Sequence, residues 1–337
     1  MKLLSSSPRL VTTITPHRIS FAGGGTDFEE FYRKSGGAVV STTIDQYVYV
    51  TVTKRSVGLF DEQYRLNYFE SEHVNSIDEI RNETARECLR LVPVDPPLYI
   101  STSSDVPASS GLGSSSSFAV GLLLALHTLR GEMVSSGQLA EEACYVEIEA
   151  VGRPIGKQDQ FAAAFGGLNS ISFGVDGRIA VEPLWMSGTQ LTEIFESSLL
   201  FWTGLQRPSQ SVLSEQRSRI VANSSHLQEL ASQARRCKEV ILSSTSVLDG
   251  LGVILQQGWN EKKQLASNVT SDEIDAMYDS AMRHGGLGAK LCGAGAGGFL
   301  WLMAPTNRHE ELIMRLAPHA PLRVKYEPRG SRVLALI

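Results

Sequence analysis

Short runs of β-branched and aromatic residues dominate the pattern of the first hundred positions. The run over 38–54 is rich in Val, Thr and Tyr and partly alternates, which predicts two strands that meet near Asp45. Two further runs predict strands over 63–69 and 98–103. Between them, apolar residues at helical spacing predict a helix over 77–91, with Ser76 as its N-cap. The first half of the chain is therefore predicted to mix α and β structure.

Helical spacing prevails from residue 116 onward. It predicts three helices, over 116–129, 138–151 and 158–165. Gly166 and Gly167 form a stop signal, and strands follow over 168–173, 178–183 and 199–202. A mostly helical segment then runs from 209 to about 284. The remaining elements are a strand over 299–303, a helix over 309–316 and strands over 322–326 and 332–336.

The length and composition suit two domains with buried cores. The chain has 337 residues, of which 42% are apolar and 20% are charged, and one domain usually takes roughly 100–200 residues. The change to a mostly helical pattern places the boundary between about Pro183 and Ser198. We therefore predict domains over 1–190 and 191–337.

The net charge and the length of the apolar stretches argue against nucleic-acid and membrane partners. The 31 basic and 36 acidic side chains give a net charge of −5, which argues against a nucleic-acid binder because such proteins carry a basic face. The longest strongly apolar stretch, Phe118–Leu126, is far shorter than the ~20 residues of a membrane span. With no secretory signal at the N-terminus, we expect a cytoplasmic protein without a membrane partner. Its four cysteines are expected to be reduced, buried thiols, since none has C-x-x-C spacing.

The first of three glycine-rich loops is Gly-Gly-Gly-Thr-Asp at 23–27. Three glycines let the backbone adopt positive φ angles and approach a ligand closely. Arg18 and Asp27 flank these glycines. The guanidinium can bind a phosphate or orient a carboxylate, and the aspartate can accept hydrogen bonds from sugar hydroxyls. Asp27 could equally be the N-cap of a helix over 28–34.

The second loop lies between a predicted strand and an apolar helix, over 104–118. Gly111 and Gly113 allow a tight turn that directs successive N–H groups inward, and the next helix adds the positive end of its dipole. The hydroxyls of Ser114–Ser117 could donate further hydrogen bonds or supply one oxygen ligand to Mg²⁺. The loop lacks the lysine of a Walker A motif. It predicts an anion site, with a capped buried helix as the alternative.

The third loop, over 290–299, contains Gly293, Gly295 and Gly298 in G-x-G-x-x-G spacing. A dinucleotide fingerprint must open a helix inside a βαβ unit. The residues that follow this loop, 299–303, instead have the pattern of a strand. A dinucleotide-binding fold is therefore not favoured.

Carboxylates flank a Gly/Pro break after the helix predicted over 138–151. Glu147 and Glu149 point in different directions on a helix, so at most one of them faces a given site. The turn that follows could bring Asp159 back towards Glu147. Two carboxylates near a phosphate loop are what Mg²⁺-dependent phosphoryl transfer needs, one to hold the metal and one to orient or deprotonate the acceptor hydroxyl.

The order of these motifs resembles the GHMP kinases, the superfamily of galactokinase, homoserine kinase and mevalonate kinase. The resemblance covers the chain from about Thr15 to about Met303. Within the superfamily, Ala-Gly-Gly-Gly-Thr-Asp at 22–27 and Gly-Lys-Gln-Asp-Gln at 156–160 are similar to the D-glycero-D-manno-heptose 7-phosphate kinases. The resemblance implies an α+β protein with the two-domain GHMP kinase fold. Its N-terminal domain would resemble the ribosomal S5 domain 2-like fold, and its C-terminal domain would be ferredoxin-like.

The same resemblance implies a role for each matching residue. Asp159 would be the catalytic aspartate beside the acceptor hydroxyl, with Arg18 next to it. Ser115 and Glu147 would bind Mg²⁺, which leaves Glu149 in solvent. The implied ATP contacts are Ser110, Gly111, Leu112, Gly113, Ser114, Ser115, Ser116, Gly293 and Gly295. The implied acceptor contacts are Gly24, Gly25, Thr26, Asp27 and Asp159.

The activity implied by the resemblance is transfer of the ATP γ-phosphoryl group to the anomeric hydroxyl of the heptose 7-phosphate, in synthesis of an activated heptose for surface polysaccharide. The acceptor's own phosphate then needs a cationic pocket, for which Arg207 is the candidate; the alternative is an ordinary surface arginine. Two other functions remain open, a kinase for a free sugar such as fucose or galactose and a non-catalytic ligand-binding protein. The sequence also allows a homodimer.

Overall fold

The larger of two sheets has eight strands. The computed structural model describes residues 8–206, 209–243 and 247–337. The eight strands are β1 (Leu10–Ala22), β2 (Gly37–Lys54), β3 (Tyr64–Asn67), β4 (Ser71–Val74), β5 (Leu98–Ser104), β6 (Leu168–Phe173), β7 (Ile179–Pro183) and β12 (Arg332–Leu336). Their order is β12-β1-β2-β5-β3-β4, and β6 pairs with both β2 and β7. Only β3 and β5 run parallel among these pairs.

The run over 38–54 forms one strand, so the prediction of two strands meeting near Asp45 was wrong. The first part of β2 pairs with β6 and the last part pairs with β5. Between these parts, the register against β1 shifts: Pro16 pairs with Tyr47, whereas His17 pairs with Ile44. This bulge leaves Asp45 outside the ladder, and its carboxylate accepts a hydrogen bond from the backbone N–H of Lys325 at 2.6 Å. The break in alternation marks a change of partner and not a turn.

Five helices accompany the larger sheet. They are α1 (Glu29–Ser35), α2 (Glu83–Leu91), α3 (Ser114–Leu129), α4 (Ser136–Cys144) and α5 (Gln158–Phe165). The helix predicted over 77–91 is divided, because a 3₁₀ turn capped by Ser76 ends before Asn82 caps α2. The helix predicted over 138–151 ends at Cys144 and continues as a π-helix over Tyr145–Ala150. π-Helices are frequent at functional sites, and this one carries Glu147.

Apolar helix α3 packs directly on the larger sheet. A Cβ at Gly121 would lie 2.7 Å from Thr15 Oγ1, so only glycine permits this approach of α3 to β1. Leu122, Leu123 and Leu126 are completely buried in the same core. The start of α3 is thereby held against β1, the strand that carries Arg18.

The smaller sheet contains four antiparallel strands. In the order β11-β8-β10-β9 they are β11 (Pro321–Leu322), β8 (Ser198–Trp202), β10 (Phe299–Met303) and β9 (Gly288–Leu291). Six helices belong to the same part of the chain, α6 (Gly188–Glu196), α7 (Ser209–Ser218), α8 (Ser224–Leu242), α9 (Val247–Lys262), α10 (Asp272–Arg283) and α11 (His309–Arg315). The strand predicted over 322–326 is shortened to β11, and the strands β1, β4 and β9 were not predicted.

The chain returns to the larger sheet at its end. β12 pairs antiparallel with β1, although it belongs to the range 191–337 that was predicted as the second domain. The division at 190 and 191 itself stays a prediction. All four cysteines are free and buried, as expected. None of the helices in the described part of the chain is long and apolar enough to cross a membrane.

Candidate active site

The second and third glycine loops touch each other between the two sheets. Gly111 and Gly293 both have positive φ angles, 80° and 63°. A Cβ on Gly111 would lie 2.6 Å from the carbonyl oxygen of Cys292, and one on Gly293 would lie 2.6 Å from the Gly111 Cα. The backbone N–H of Phe299 donates to the carbonyl of Ser110 at 3.1 Å. Glycine is therefore required at this contact, which closes one wall of a cleft.

The cleft meets the N-terminus of α3. Gly113, at φ 81°, is the N-cap and provides no side-chain cap. The N–H groups in the first turn of a helix have no partner within the helix, and Gly113, Ser114, Ser115 and Ser116 all line the cleft. Uncapped N–H groups and the positive end of the helix dipole form a site that attracts an anion.

Arg18 and Asp159 form a bidentate ion pair in the cleft. Arg18 Nε donates to Asp159 Oδ1 at 2.7 Å, and Arg18 Nη2 donates to Oδ2 at 2.7 Å. Arg18 Nη1 also donates to the carbonyl of Gly111 at 2.8 Å. Arg18 is 5% exposed, whereas a quarter of the Asp159 side chain is accessible. The arginine therefore holds the aspartate at the edge of the second glycine loop with its carboxylate open to the cleft.

Glu147 lies beside this pair, fully buried. Its carboxylate accepts hydrogen bonds from Ser115 Oγ at 2.5 Å, Ser116 Oγ at 2.6 Å and Gln160 Nε2 at 2.8 Å. The guanidinium of Arg153 contacts both Glu147, at 2.9 Å, and the Ser115 hydroxyl. A cationic nitrogen thus already lies between a hydroxyl and a carboxylate oxygen. Glu149 is exposed, as expected for the second glutamate of this helix.

Asp27 caps a helix, but not the one considered from the sequence. Helix α1 has Phe28 at its N-cap position and no side-chain cap. The Asp27 carboxylate instead accepts from the backbone N–H and the Nε2 of Gln158, both at 3.0 Å, at the start of α5. It also accepts from the Gly25 N–H at 3.1 Å. Burial raises the pKa of Asp27. Asp27 therefore holds the first glycine loop against α5 and lines the cleft.

The segment Gly156–Gln160 connects all of these groups. Gln158 binds Asp27, Asp159 binds Arg18, and Gln160 binds Glu147. Three consecutive residues thus fix the positions of three carboxylates.

Gly156 has no side chain, and the Asp27 carboxylate occupies the space where its Cβ would lie. A Cβ at this position would lie 2.0 Å from Asp27 Oδ2, and three hydrogen bonds hold that carboxylate in place. We expect Gly156→Ala to lower the free energy of unfolding by about 1–3 kcal/mol, the usual cost of overpacking. Denaturant unfolding measures this difference. Gly188→Ala, where the new methyl group would meet open space, is the matched control; equal unfolding free energies for the two variants would contradict the packing argument.

Most of the predicted site residues line this one cleft. They are Arg18, Gly24, Gly25, Asp27, Ser110, Gly111, Gly113, Ser114, Ser115, Ser116, Glu147, Asp159, Gly293 and Gly295. Thr26 does not line it, because its buried hydroxyl donates to the carbonyls of Gly23 and Ala38 inside the loop. The side chain of Leu112 is likewise in the core. Arg207 lies outside the described residues.

Three cationic residues on the cleft wall were not predicted. Arg153 lies in the turn after the π-helix, and Lys262 and Lys290 come from α9 and β9. Lys290 is the first residue of the third glycine loop, and this position is the only sequence signal for either lysine. Lys262 ends an amphipathic helix, where a lysine is normally assumed to face solvent.

Comparison with known proteins assigns the family. Residues 75–167 match the family model of the GHMP kinases N terminal domain, and residues 243–316 match that of the GHMP kinases C terminal domain. The chain belongs to the GHMP kinases. It is a phosphotransferase with an alcohol group as acceptor, and the two-domain GHMP kinase fold expected from the motifs is confirmed.

Relatives cover nearly the whole of this GHMP kinase. It is 29% identical to D-glycero-alpha-D-manno-heptose 7-phosphate kinase of Campylobacter jejuni, over 91% of this chain and 93% of that protein. It is 26% identical to L-fucokinase/L-fucose-1-P guanylyltransferase of Bacteroides fragilis, over 90% of this chain and 35% of that longer protein. Its fold matches the crystal structure of a D-glycero-D-manno-heptose 1-phosphate kinase from Bacteroides thetaiotaomicron with a TM-score of 0.79 and 23% identity, over 97% and 99% of the two chains.

Proposed function

We propose that this GHMP kinase transfers the γ-phosphoryl group of ATP to the anomeric hydroxyl of D-glycero-D-manno-heptose 7-phosphate, giving the 1,7-bisphosphate. The observation that carries the proposal is that the Arg18–Asp159 pair and the Ser115–Glu147 pair line one cleft at the N-terminus of α3. Similarity to a heptose 7-phosphate kinase over nine-tenths of the chain supports the choice of acceptor.

In this proposal Asp159 receives the proton of the acceptor hydroxyl. The two hydrogen bonds from Arg18 fix both carboxylate oxygens, so a lone pair stays directed at a hydroxyl that approaches from the open side. Alignment of acceptor and donor supplies much of the rate in phosphoryl transfer, because the protein itself forms no covalent bond. The N–H groups of residues 113–116 would stabilise charge on the phosphate oxygens.

The donor set at Ser115 and Glu147 fits Mg²⁺. Both are hard oxygen ligands, and both already contact the cationic Arg153 guanidinium. The described residues include no group of three or more His, Cys, Asp or Glu side chains placed to hold a metal ion. Mg²⁺ commonly binds through one or two carboxylates together with nucleotide phosphates and water. Bound there, the ion would neutralise charge that develops on the transferred phosphate; Ser115 and Glu147 would hold it, and Arg153 would have to move.

The alternatives have less support. A kinase for free fucose or galactose would use the same catalytic pair, but the fucokinase relative has lower identity and matches only part of that longer protein. A non-catalytic binding protein would not require a carboxylate held by two hydrogen bonds at the edge of an anion site. We also propose that the protein acts in the cytoplasm, in synthesis of activated heptose for surface polysaccharide.

Measurement of ADP release with a panel of acceptors tests the proposal. The panel comprises D-glycero-D-manno-heptose, its 7-phosphate, galactose and fucose. We expect kcat/KM for the 7-phosphate to exceed that for every free sugar by roughly 10-fold or more, since a hydrogen-bonded charged group contributes about 1.5–3 kcal/mol. The highest kcat/KM on a free sugar would overturn the choice of acceptor, while leaving the catalytic pair intact.

A further inference from the structure

Two lysines are buried in the cleft, and no carboxylate among the described residues pairs with either of them. Lys262 and Lys290 are each only 8% exposed, and both line the cleft. Lys262 Nζ donates to the carbonyls of Leu291, at 3.0 Å, and Gly293. Lys290 Nζ donates to the carbonyl of Ser20 at 2.8 Å. Lysines are rarely buried without a counter-ion, so both need an explanation.

Within residues 8–206, 209–243 and 247–337, no group that acts on the two lysines carries a negative charge. The titratable and charged groups that act on them are Arg18, Cys237 and Cys292, and Lys290 also acts on Lys262. Burial raises the pKa of both cysteine thiols, which therefore stay neutral. Burial in turn lowers the pKa of Lys290 to about 8 and that of Lys262 below its ordinary value. Burial thus destabilises the ammonium form of both lysines, and an anion bound beside this lysine patch would stabilise it.

Donors remain on both ammonium groups. A lysine ammonium has three N–H donors. The described contacts use two on Lys262 and one on Lys290, which leaves three donors between the two side chains for a ligand with several acceptor oxygens. A phosphate group offers several acceptor oxygens and also carries the negative charge that would balance the two ammonium groups.

The two ammonium groups lie between the third glycine loop and β1, the strand that leads into the first glycine loop. Gly258, Lys262 and Leu265 line the cleft from the second domain. A Cβ on Gly25 would lie 3.4 Å from Cδ1 of Leu265, three residues after Lys262 and beyond the end of α9. The carbonyl that Lys290 binds belongs to Ser20, just before the same loop. The Lys290 ammonium therefore borders the loop assigned to the acceptor. The Lys262 ammonium lies at the third glycine loop, close enough to Lys290 for the two charges to repel.

We propose that Lys262 and Lys290 together bind the phosphate group of a phosphorylated sugar acceptor. The inference rests on the proposed function, since it concerns the acceptor of the same reaction. It identifies a phosphate pocket from described residues, where the sequence offered only Arg207. Binding is reversible and ionic, and the acceptor's phosphate is not transferred.

Lys262→Met and Lys290→Met test the inference, because each removes the charge and retains a similar length of apolar side chain. Each variant is assayed with D-glycero-D-manno-heptose and with its 7-phosphate, and titration calorimetry measures the dissociation constant of each sugar. We expect KM and the dissociation constant for the 7-phosphate to rise roughly 10- to 100-fold. For the free heptose and for ATP the change should be below about threefold. Lys263→Met, next to Lys262 but outside the cleft wall, should leave all values unchanged.

The outcomes separate the two proposals. If the wild-type enzyme prefers the 7-phosphate but both variants lose activity equally on the two sugars, the lysines serve the transferred phosphoryl group or the fold, and the inference is overturned while the proposed function stands. If the wild-type enzyme uses the free sugar as efficiently as the 7-phosphate, both are overturned. Lys262→Met could fail to fold, because two carbonyls lose their donor. In that case Lys290→Met, which loses a single hydrogen bond, decides whether the lysines bind the acceptor's phosphate.

Discussion

Replacement of Asp159 by Asn is expected to lower kcat by roughly 10²–10⁴-fold, the range attributed to a positioned general base. The amide has nearly the same shape as the carboxylate but cannot take the acceptor's proton, and it leaves Arg18 with only the Gly111 carbonyl as an acceptor of full strength. Because Asp159 contacts neither Ser115 nor Glu147 in the described hydrogen bonds, the dissociation constant of ATP should change less than about threefold. Single-turnover kinetics and calorimetry measure the two quantities.

The matched control for this variant is Asp249→Asn. Asp249 is an exposed aspartate in the first turn of α9, and its replacement should leave kcat unchanged. If Asp159→Asn kept wild-type kcat, Asp159 would not be the base, and the roles proposed for the Arg18–Asp159 pair would have to be withdrawn.

Replacement of Glu147 by Gln has the second large expected effect. The change removes the carboxylate that accepts from Ser115 and leaves the Arg153 guanidinium without the ion-pair partner that it has among the described residues. We expect the concentration of Mg²⁺ that gives half-maximal activity to rise roughly 10-fold or more, since a lost charge-assisted contact costs about 1.5–3 kcal/mol. Titration of activity with Mg²⁺ at saturating ATP measures this shift.

Glu149→Gln provides a close control for that experiment. Glu149 lies two residues further along the same π-helix and is exposed, so its Mg²⁺ dependence should match that of the wild type. An unchanged Mg²⁺ requirement in Glu147→Gln would mean that the metal lies elsewhere in the cleft. Thermal unfolding of both variants separates a loss of metal binding from a loss of fold, because Glu147 also accepts hydrogen bonds from Ser116 and Gln160.

The parts of the site that depend on neighbouring residues in the chain could be predicted from the sequence. The turn at Gly111 and Gly113, the hydroxyls after it and the start of α5 all depend on residues adjacent in the chain. Helix geometry also predicted that at most one of Glu147 and Glu149 faces the site, and the resemblance to the GHMP kinases selected Glu147. Such features are encoded within about ten residues.

Contacts between distant residues could not be predicted in this way. Gly293 is needed because it touches Gly111, which no pattern around either residue reveals. Thr26 looks like a ligand-binding hydroxyl in the sequence, but its donor is used by carbonyls inside the loop. Asp27 was interpreted either as a contact for sugar hydroxyls or as a helix N-cap. In the structure it lines the cleft and also caps α5, whose first residue is 131 positions away in sequence.

The long strand β2 shows a second limit. A polar residue at Asp45 interrupts the alternation, and from the sequence this is indistinguishable from a turn. In the structure the strand continues because its two halves pair with different partners, β6 and β5. The position of Lys262 in the site could not be predicted for the same reason. Its burial depends on contacts with β9 and the third glycine loop, which lie far from its own helix in sequence.

A crystal structure with Mg²⁺ and a non-hydrolysable ATP analogue shows whether the nucleotide binds at the N-terminus of α3. We expect the β- and γ-phosphates to lie within hydrogen-bond distance of the N–H groups of residues 113–116. We also expect the metal ion between Ser115 and Glu147, with the Arg153 guanidinium displaced from that position. A nucleotide bound away from the N-terminus of α3, with Arg153 still between these two side chains, would contradict the roles proposed for this helix terminus and for Ser115 and Glu147.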